Sequence, residues 1–140
     1  KNQEAYKRLR ALPTGKNTQV LIEAMCEPLT HLAAADVLVG KGGASTLAEA
    51  TYFGLAMLVN RFSTVVEKDN AEYYIHHVQN ALGITQTPAV LDKIKAWCKD
   101  NTELLQMQEN ARKEKQNYGS EKTADLLYQL LAKRYPSLKE

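Results

Sequence analysis

Scarcity narrows the reading before any motif does. There are two cysteines, Cys26 and Cys98, far apart and without the close spacing that zinc or thiol–disulfide work uses. They read as two reduced thiols of a cytosolic protein. Charge of one sign is missing too: 18 Lys and Arg stand against 16 Asp and Glu, for a net charge of +2. That is no footprint for a nucleic-acid partner, and none is expected. No apolar run approaches the roughly 18 residues of a spanning helix. The opening Lys1-Asn2-Gln3-Glu4 is polar and is no signal peptide. Without an initiator methionine, the chain is expected to begin inside a longer polypeptide or to have been trimmed. His31, His76 and His77 make no metal site, because neighbouring side chains on a helix diverge by about 100°. No metal and no cofactor are expected.

What is present suits one core. The chain has 140 residues, 44% of them hydrophobic and 24% charged, as in ordinary globular domains. Residues 4–12 carry a helical spacing that Pro13-Thr14-Gly15 stops. Residues 18–23 (TQVLIE) read as a strand, and 28–35 as a helix with Pro28 in its first turn. Asp36-Val37-Leu38-Val39-Gly40 is apolar, too short for a helix and closed by glycine, the pattern of a buried parallel strand. A helix over 45–53 closing at Gly54 follows, then a strand over 55–59, a loop over 60–68, and a helix over 71–81 capped by Asp69-Asn70. Ile84-Thr85 is a last short strand. From Pro88 the pattern is helical only: 89–99, 102–117 and 122–135, with Gly119-Ser120 as stop and new N-cap.

This rhythm predicts an α/β fold: a Rossmann-like parallel sheet with flanking helices over 1–87, then an all-helical extension over 88–140 packed on the same domain as a covering layer. If 18–23 is the third strand of a doubly wound sheet, its usual neighbours are absent from the chain, which favours a partial domain that lacks its first strands.

The stretch with chemistry runs from Ala35 to Glu49. A strand delivers the chain into Gly42-Gly43 and a helix begins at once. Without Cβ atoms there, an anion can approach the main chain closely. The first-turn amides near Ala44, Ser45 and Thr46 have no intrahelical acceptor, and the helix dipole favours negative charge. Lys41 adds a cation, and Ser45 or Thr46 a hydroxyl. The same residues also fit a bland alternative, in which Gly-Gly is a tight turn and Thr46-Leu47-Ala48-Glu49 is a capping box with Glu49 folded back on its own helix.

From Ala35 to Ala71 the sequence resembles the C-terminal domain of family 28 glycosyltransferases, which have the GT-B fold. Members include the N-acetylglucosaminyltransferase of peptidoglycan synthesis and the monogalactosyl- and glucosyl-diacylglycerol synthases. The family pattern A-D-x-x-(I/V)-x-K-x-G, then T-x-x-E, G-x-P, and Gln-Glu leading into N-A, is met by Ala35-Asp36, Lys41, Gly43, Thr46, Glu49, Gly54, Glu67 and Asn70-Ala71. The resemblance implies a nucleotide-diphosphate sugar, a UDP-sugar, as donor, with a hexose passed to a lipid-linked or other hydroxyl acceptor and no metal required. It implies that Glu49 grips the ribose, that Lys41, Gly42, Gly43, Ala44, Ser45 and Thr46 hold the diphosphate, that Glu67 and Asn70 face the sugar, and that the backbone near Met25 reads the uracil. Catalytic groups are expected on an N-terminal GT-B domain outside this chain, so this portion alone is expected to be inactive. A cytoplasmic location, peripheral at the membrane face, is implied by relatives with lipid acceptors. By composition, the basic and acidic residues of the tail read as a solvated face.

Two departures stand out. Ala56 replaces the family proline, and Val66 occupies the place of the glutamine, where an apolar side chain cannot hydrogen-bond a sugar hydroxyl. The rival readings are a nucleotide-sugar epimerase of the same architecture and a degenerate, non-catalytic partner-binding domain.

Overall fold

A computed structural model describes residues 3–11, 27–115 and 119–135. The predicted strand over 18–23, the stop at Pro13 and the position of Met25 lie outside those residues. The chain divides into two compact units, Lys1–His31 and Leu32–Glu140.

In the first unit, helix α1 (Gln3–Arg10) carries Glu4 in its first turn and Lys7, Arg8 and Arg10 in its last. Both placements complement the helix dipole. Helix α2 (Pro28–Ala33) crosses the boundary between the units, and Leu32 joins the core of the second.

The second unit is built on a parallel sheet ordered β1-β2-β3, with β1 at Val37–Lys41, β2 at Ala56–Arg61 and β3 at Ala81–Gly83. Val37 to Gly40 pair with Ala56 to Val59 in step, and a register shift then brings Lys41 opposite Arg61. Met57, Leu58 and Val59 pair with Ala81, Leu82 and Gly83. Side chains alternate across a strand, so β2 feeds two cores. Met57 and Val59 pack with Leu47, Ala50, Leu55, Ala71 and Ala81 on one side. Ala56 and Leu58 pack with Val90, Trp97 and Met107 on the other. The first side is covered by α3 (Ala44–Tyr52) and α4 (Val65–Tyr73), the second by α5 (Thr87–Lys99) and α6 (Thr102–Lys115). This is the expected α/β architecture of a parallel sheet between helices.

Helix α3 ends as its sequence predicts. Gly54 is left-handed at φ 74, its amide donates to Thr51 O at 3.0 Å, and that of Leu55 donates to Ala50 O at 2.8 Å. These are the two bonds of a Schellman cap. Pro88 lies in the first turn of α5, where its missing N–H costs nothing. Asp100 accepts from the Thr102 amide at 3.0 Å and hydroxyl at 2.6 Å, and Glu103 then accepts from the Trp97 indole at 2.6 Å, clipping α5 to α6.

Several expectations need correction. The helix expected over 71–81 starts six residues earlier, at Val65, so 65–68 is helix and Asp69-Asn70 lies inside it and caps nothing. The cap is Thr64, whose hydroxyl accepts from the Glu67 amide at 3.1 Å. The same helix also ends early: α4 gives way to a π-helical turn over Tyr74–Val78 that closes at Gln79, left-handed at φ 60. The chain then needs Asn80 in the core, where its amide nitrogen donates to Thr51 Oγ1 at 2.9 Å. The last strand therefore forms at Ala81–Gly83 and not at Ile84-Thr85. Finally, α7 (Ser120–Arg134) is capped by the Gly119 backbone, and no side chain accepts there. On α7, Ala132 is buried, while Leu126, Leu127, Leu130 and Leu131 are exposed. Among the described residues, no helix is long and apolar enough to cross a membrane.

Candidate donor site

The carboxyl ends of β1 and β2 lie side by side, and each leads into the N-terminus of a helix. Beyond Lys41 the chain turns through Gly42, whose amide donates to Arg61 O at 3.1 Å. A Cβ on Gly42 would stand 2.9 Å from Glu67 O and 3.3 Å from Ala71 Cβ. Glycine is needed there so that the turn can lie against the start of α4, and this space is not open to an anion.

Gly43 behaves differently. It is the N-cap of α3 in an extended conformation, φ −72 and ψ 141, and no side chain accepts from the helix start. The first intrahelical bond runs from Leu47 N to Gly43 O at 3.0 Å. Among the described residues the amides of Ala44, Ser45 and Thr46 therefore have no acceptor. A Cβ built on Gly43 would stand 3.6 Å from Lys41 Cε and Thr46 Oγ1 and 3.8 Å from Lys41 Nζ. An ammonium, a hydroxyl and free amides thus converge just above Gly43. This is the composition of an anion seat at a helix N-terminus.

Glu49 lies one turn further along α3 and is half-buried. With the helix starting at Ala44, Thr46 is an interior residue, and Glu49 is not folded back as a cap. Its carboxylate makes no hydrogen bond or ion pair with a described residue, so the capping-box reading of Thr46–Glu49 is excluded.

A side-chain cap with a returning carboxylate occurs on the neighbouring helix instead. Thr64-Val65-Val66-Glu67 has the same T-x-x-E spacing. Thr64 caps α4, and Glu67 Oε2 reaches back to accept from the Ser63 amide at 2.7 Å. Its other oxygen, Oε1, pairs with Lys41 Nζ at 2.8 Å. The hydrogen bond from Lys41, then that from Ser63, hold the Glu67 carboxyl below its ordinary range. Sequence reasoning overlooked Ser63 and Thr64, although the T-x-x-E signal was legible there too. Asn70 sits one turn beyond Glu67 on α4, half-buried; residues so spaced share a helix face. Val65 and Val66 are 75% and 66% exposed at the tip of the helix. The structure therefore brings Lys41, Gly43, Thr46 and Glu67 together, with Ala44 and Ser45 supplying backbone.

A parallel sheet whose strand ends open into an uncapped, glycine-started helix is the plan of a nucleotide-binding half-domain. Comparison with known sequences agrees: residues 16–129 match the family model "Glycosyltransferase family 28 C-terminal domain", and the chain belongs to that family. It is also 38% identical over 85 residues to monogalactosyldiacylglycerol synthase 3, chloroplastic, of Arabidopsis thaliana, covering 59% of this chain and 18% of that protein. The matched region thus spans less than a fifth of that relative's length.

Proposed function

We propose that this chain is the donor-binding part of a glycosyltransferase. It takes a UDP-sugar and serves transfer of a hexose to a lipid-linked or other hydroxyl acceptor. The observation that carries the reading is the start of α3, where three amides lack acceptors among the described residues and the Lys41 ammonium stands beside them. Charge builds on the diphosphate as the sugar departs, and preorganised dipoles and a cation there stabilise it. That role does not call for a bound metal. Glu49 supplies two acceptor oxygens for the ribose hydroxyls, consistent with a carboxylate left without a partner among the described residues. Asn70 faces the sugar. The acceptor site and general base belong to an N-terminal domain outside this chain. A lipid acceptor follows by analogy with the galactolipid synthase, and it would bring the enzyme to a membrane surface.

Calorimetric titration with UDP, GDP and ADP tests the proposal. UDP should bind with the highest affinity of the three. Glu49→Ala should weaken UDP binding by about tenfold to a hundredfold, the effect of losing a charge-assisted pair of hydrogen bonds, with the melting temperature unchanged. No heat with any nucleotide would mark the chain as a non-catalytic descendant that binds partners. Unaltered UDP affinity in Glu49→Ala would remove the ribose assignment.

A further inference from the structure

We infer that Glu67 is a positioning residue that acts through Lys41, fixing its ammonium over the start of α3. The inference rests on the anion seat proposed above and gives Glu67 a task other than contact with the sugar. The two partners lie 26 residues apart and differ sharply in exposure: the Lys41 side chain is 58% exposed and that of Glu67 only 14%. One is a flexible stem that solvent leaves free to wander. The other is a fixed anchor, because Oε2 is held by the Ser63 amide at 2.7 Å and the residue sits in the first turn of a capped helix.

An ammonium carries three donors. Glu67 Oε1 uses one at 2.8 Å, which leaves two for an arriving phosphate. The Lys41 stem passes 3.6 Å from where a Cβ on Gly43 would be, and Nζ 3.8 Å, so the tethered ammonium borders the free amides. A tether of this kind removes in advance the rotamer entropy that a lysine otherwise loses on gripping a ligand. Glu67 also has an opposing effect, since its negative charge lies near the seat and repels an anion. The two effects have opposite signs in a binding measurement, which makes the inference testable.

The experiment is a double-mutant cycle on the 140-residue chain with Glu67→Ala, Lys41→Met and the pair, titrated with UDP and separately with inorganic diphosphate. Inorganic diphosphate has neither ribose nor base, so it probes the seat alone. Positioning requires Glu67→Ala to weaken both probes about fivefold, and the same change in the Lys41→Met background to alter either by less than twofold. A merely structural role, through the Ser63 bond and the start of α4, would weaken binding equally in both backgrounds and overturns the inference. Tighter binding by Glu67→Ala would mean that charge repulsion dominates, and overturns it as well. If the unaltered chain binds neither probe, the anion seat falls, and this inference with it. If it binds diphosphate but not UDP, the nucleotide reading fails while the cycle, read with diphosphate, still decides the role of Glu67.

Discussion

Two helices open at the same edge of the sheet, one with a side-chain cap and one without. Helix α4 satisfies one of its first-turn amides with a side chain: Thr64 takes the Glu67 amide, while Glu67 takes the Ser63 amide just ahead of the helix. Among the described residues, helix α3 has no acceptor for its first amides, and it starts on a glycine that offers no side chain. Each follows a parallel strand and each carries T-x-x-E near its start, yet only α4 uses the carboxylate as a cap. The difference separates architecture from function. A helix start held by its own side-chain cap is a structural joint, while one without such a cap is available to a ligand with acceptor oxygens.

The contrast can be broken at its joint. Gly42→Val should have the largest effect on stability, because its Cβ would meet the Glu67 carbonyl at 2.9 Å and Phe62 at 3.2 Å. Backbone must shift to relieve this, at a cost of about 3 kcal/mol. Urea denaturation should record it as a lower midpoint at unchanged slope; a midpoint like that of the parent would mean that the turn does not pack as described.

The contrast can also be sharpened by making α3 resemble α4. Gly43 already has the extended conformation of an N-cap, and its Cβ would make only ordinary contacts. Gly43→Asp should therefore raise stability by a few tenths of a kcal/mol, while lowering UDP affinity at least tenfold, about 1.4 kcal/mol, because the new carboxylate takes the amides and repels the diphosphate. Thermal melting and titration on one sample read both, and undiminished UDP binding would dissolve the distinction between the two helix starts. The smallest effect is at the closed helix. Thr64→Ala should cost about 1 kcal/mol in urea denaturation, whereas Ser45→Ala, at the open helix, should stay within about 0.5 kcal/mol.

Much of the scaffold was legible because its causes are local. Gly54 needed only a helix before it and an apolar residue after it to declare a left-handed cap, and the structure has it at φ 74. The run Ala56 to Val59 was short, apolar and bounded, and it became the buried central strand. Where the reading slipped, a stronger local signal had been passed over or a distant contact had decided. Asp69-Asn70 has good capping chemistry, but Thr64 lies one turn earlier with Glu67 at the right spacing and captures the helix start. The apolar residues past Val78 continue a helical spacing, yet burying Asn80 against Thr51 and Leu55 turns the chain into a strand at Ala81. Within the site, Lys41 and Glu67 were both legible as polar residues near strand ends. Their pairing was not, since it spans 26 residues.

By itself the sequence determined the alternation of strands and helices, the glycine that closes α3, and the presence of amides, cation and carboxylates near two strand ends. Those follow from side-chain periodicity and backbone freedom over a few neighbouring residues. Only the tertiary structure decided which carboxylate pairs with Lys41, and which glycine of the Gly42-Gly43 pair makes room for a neighbouring helix. The reason is physical: both questions turn on atoms brought within about 3 Å by the packing of β1 beside β2, and a one-dimensional pattern does not contain that proximity.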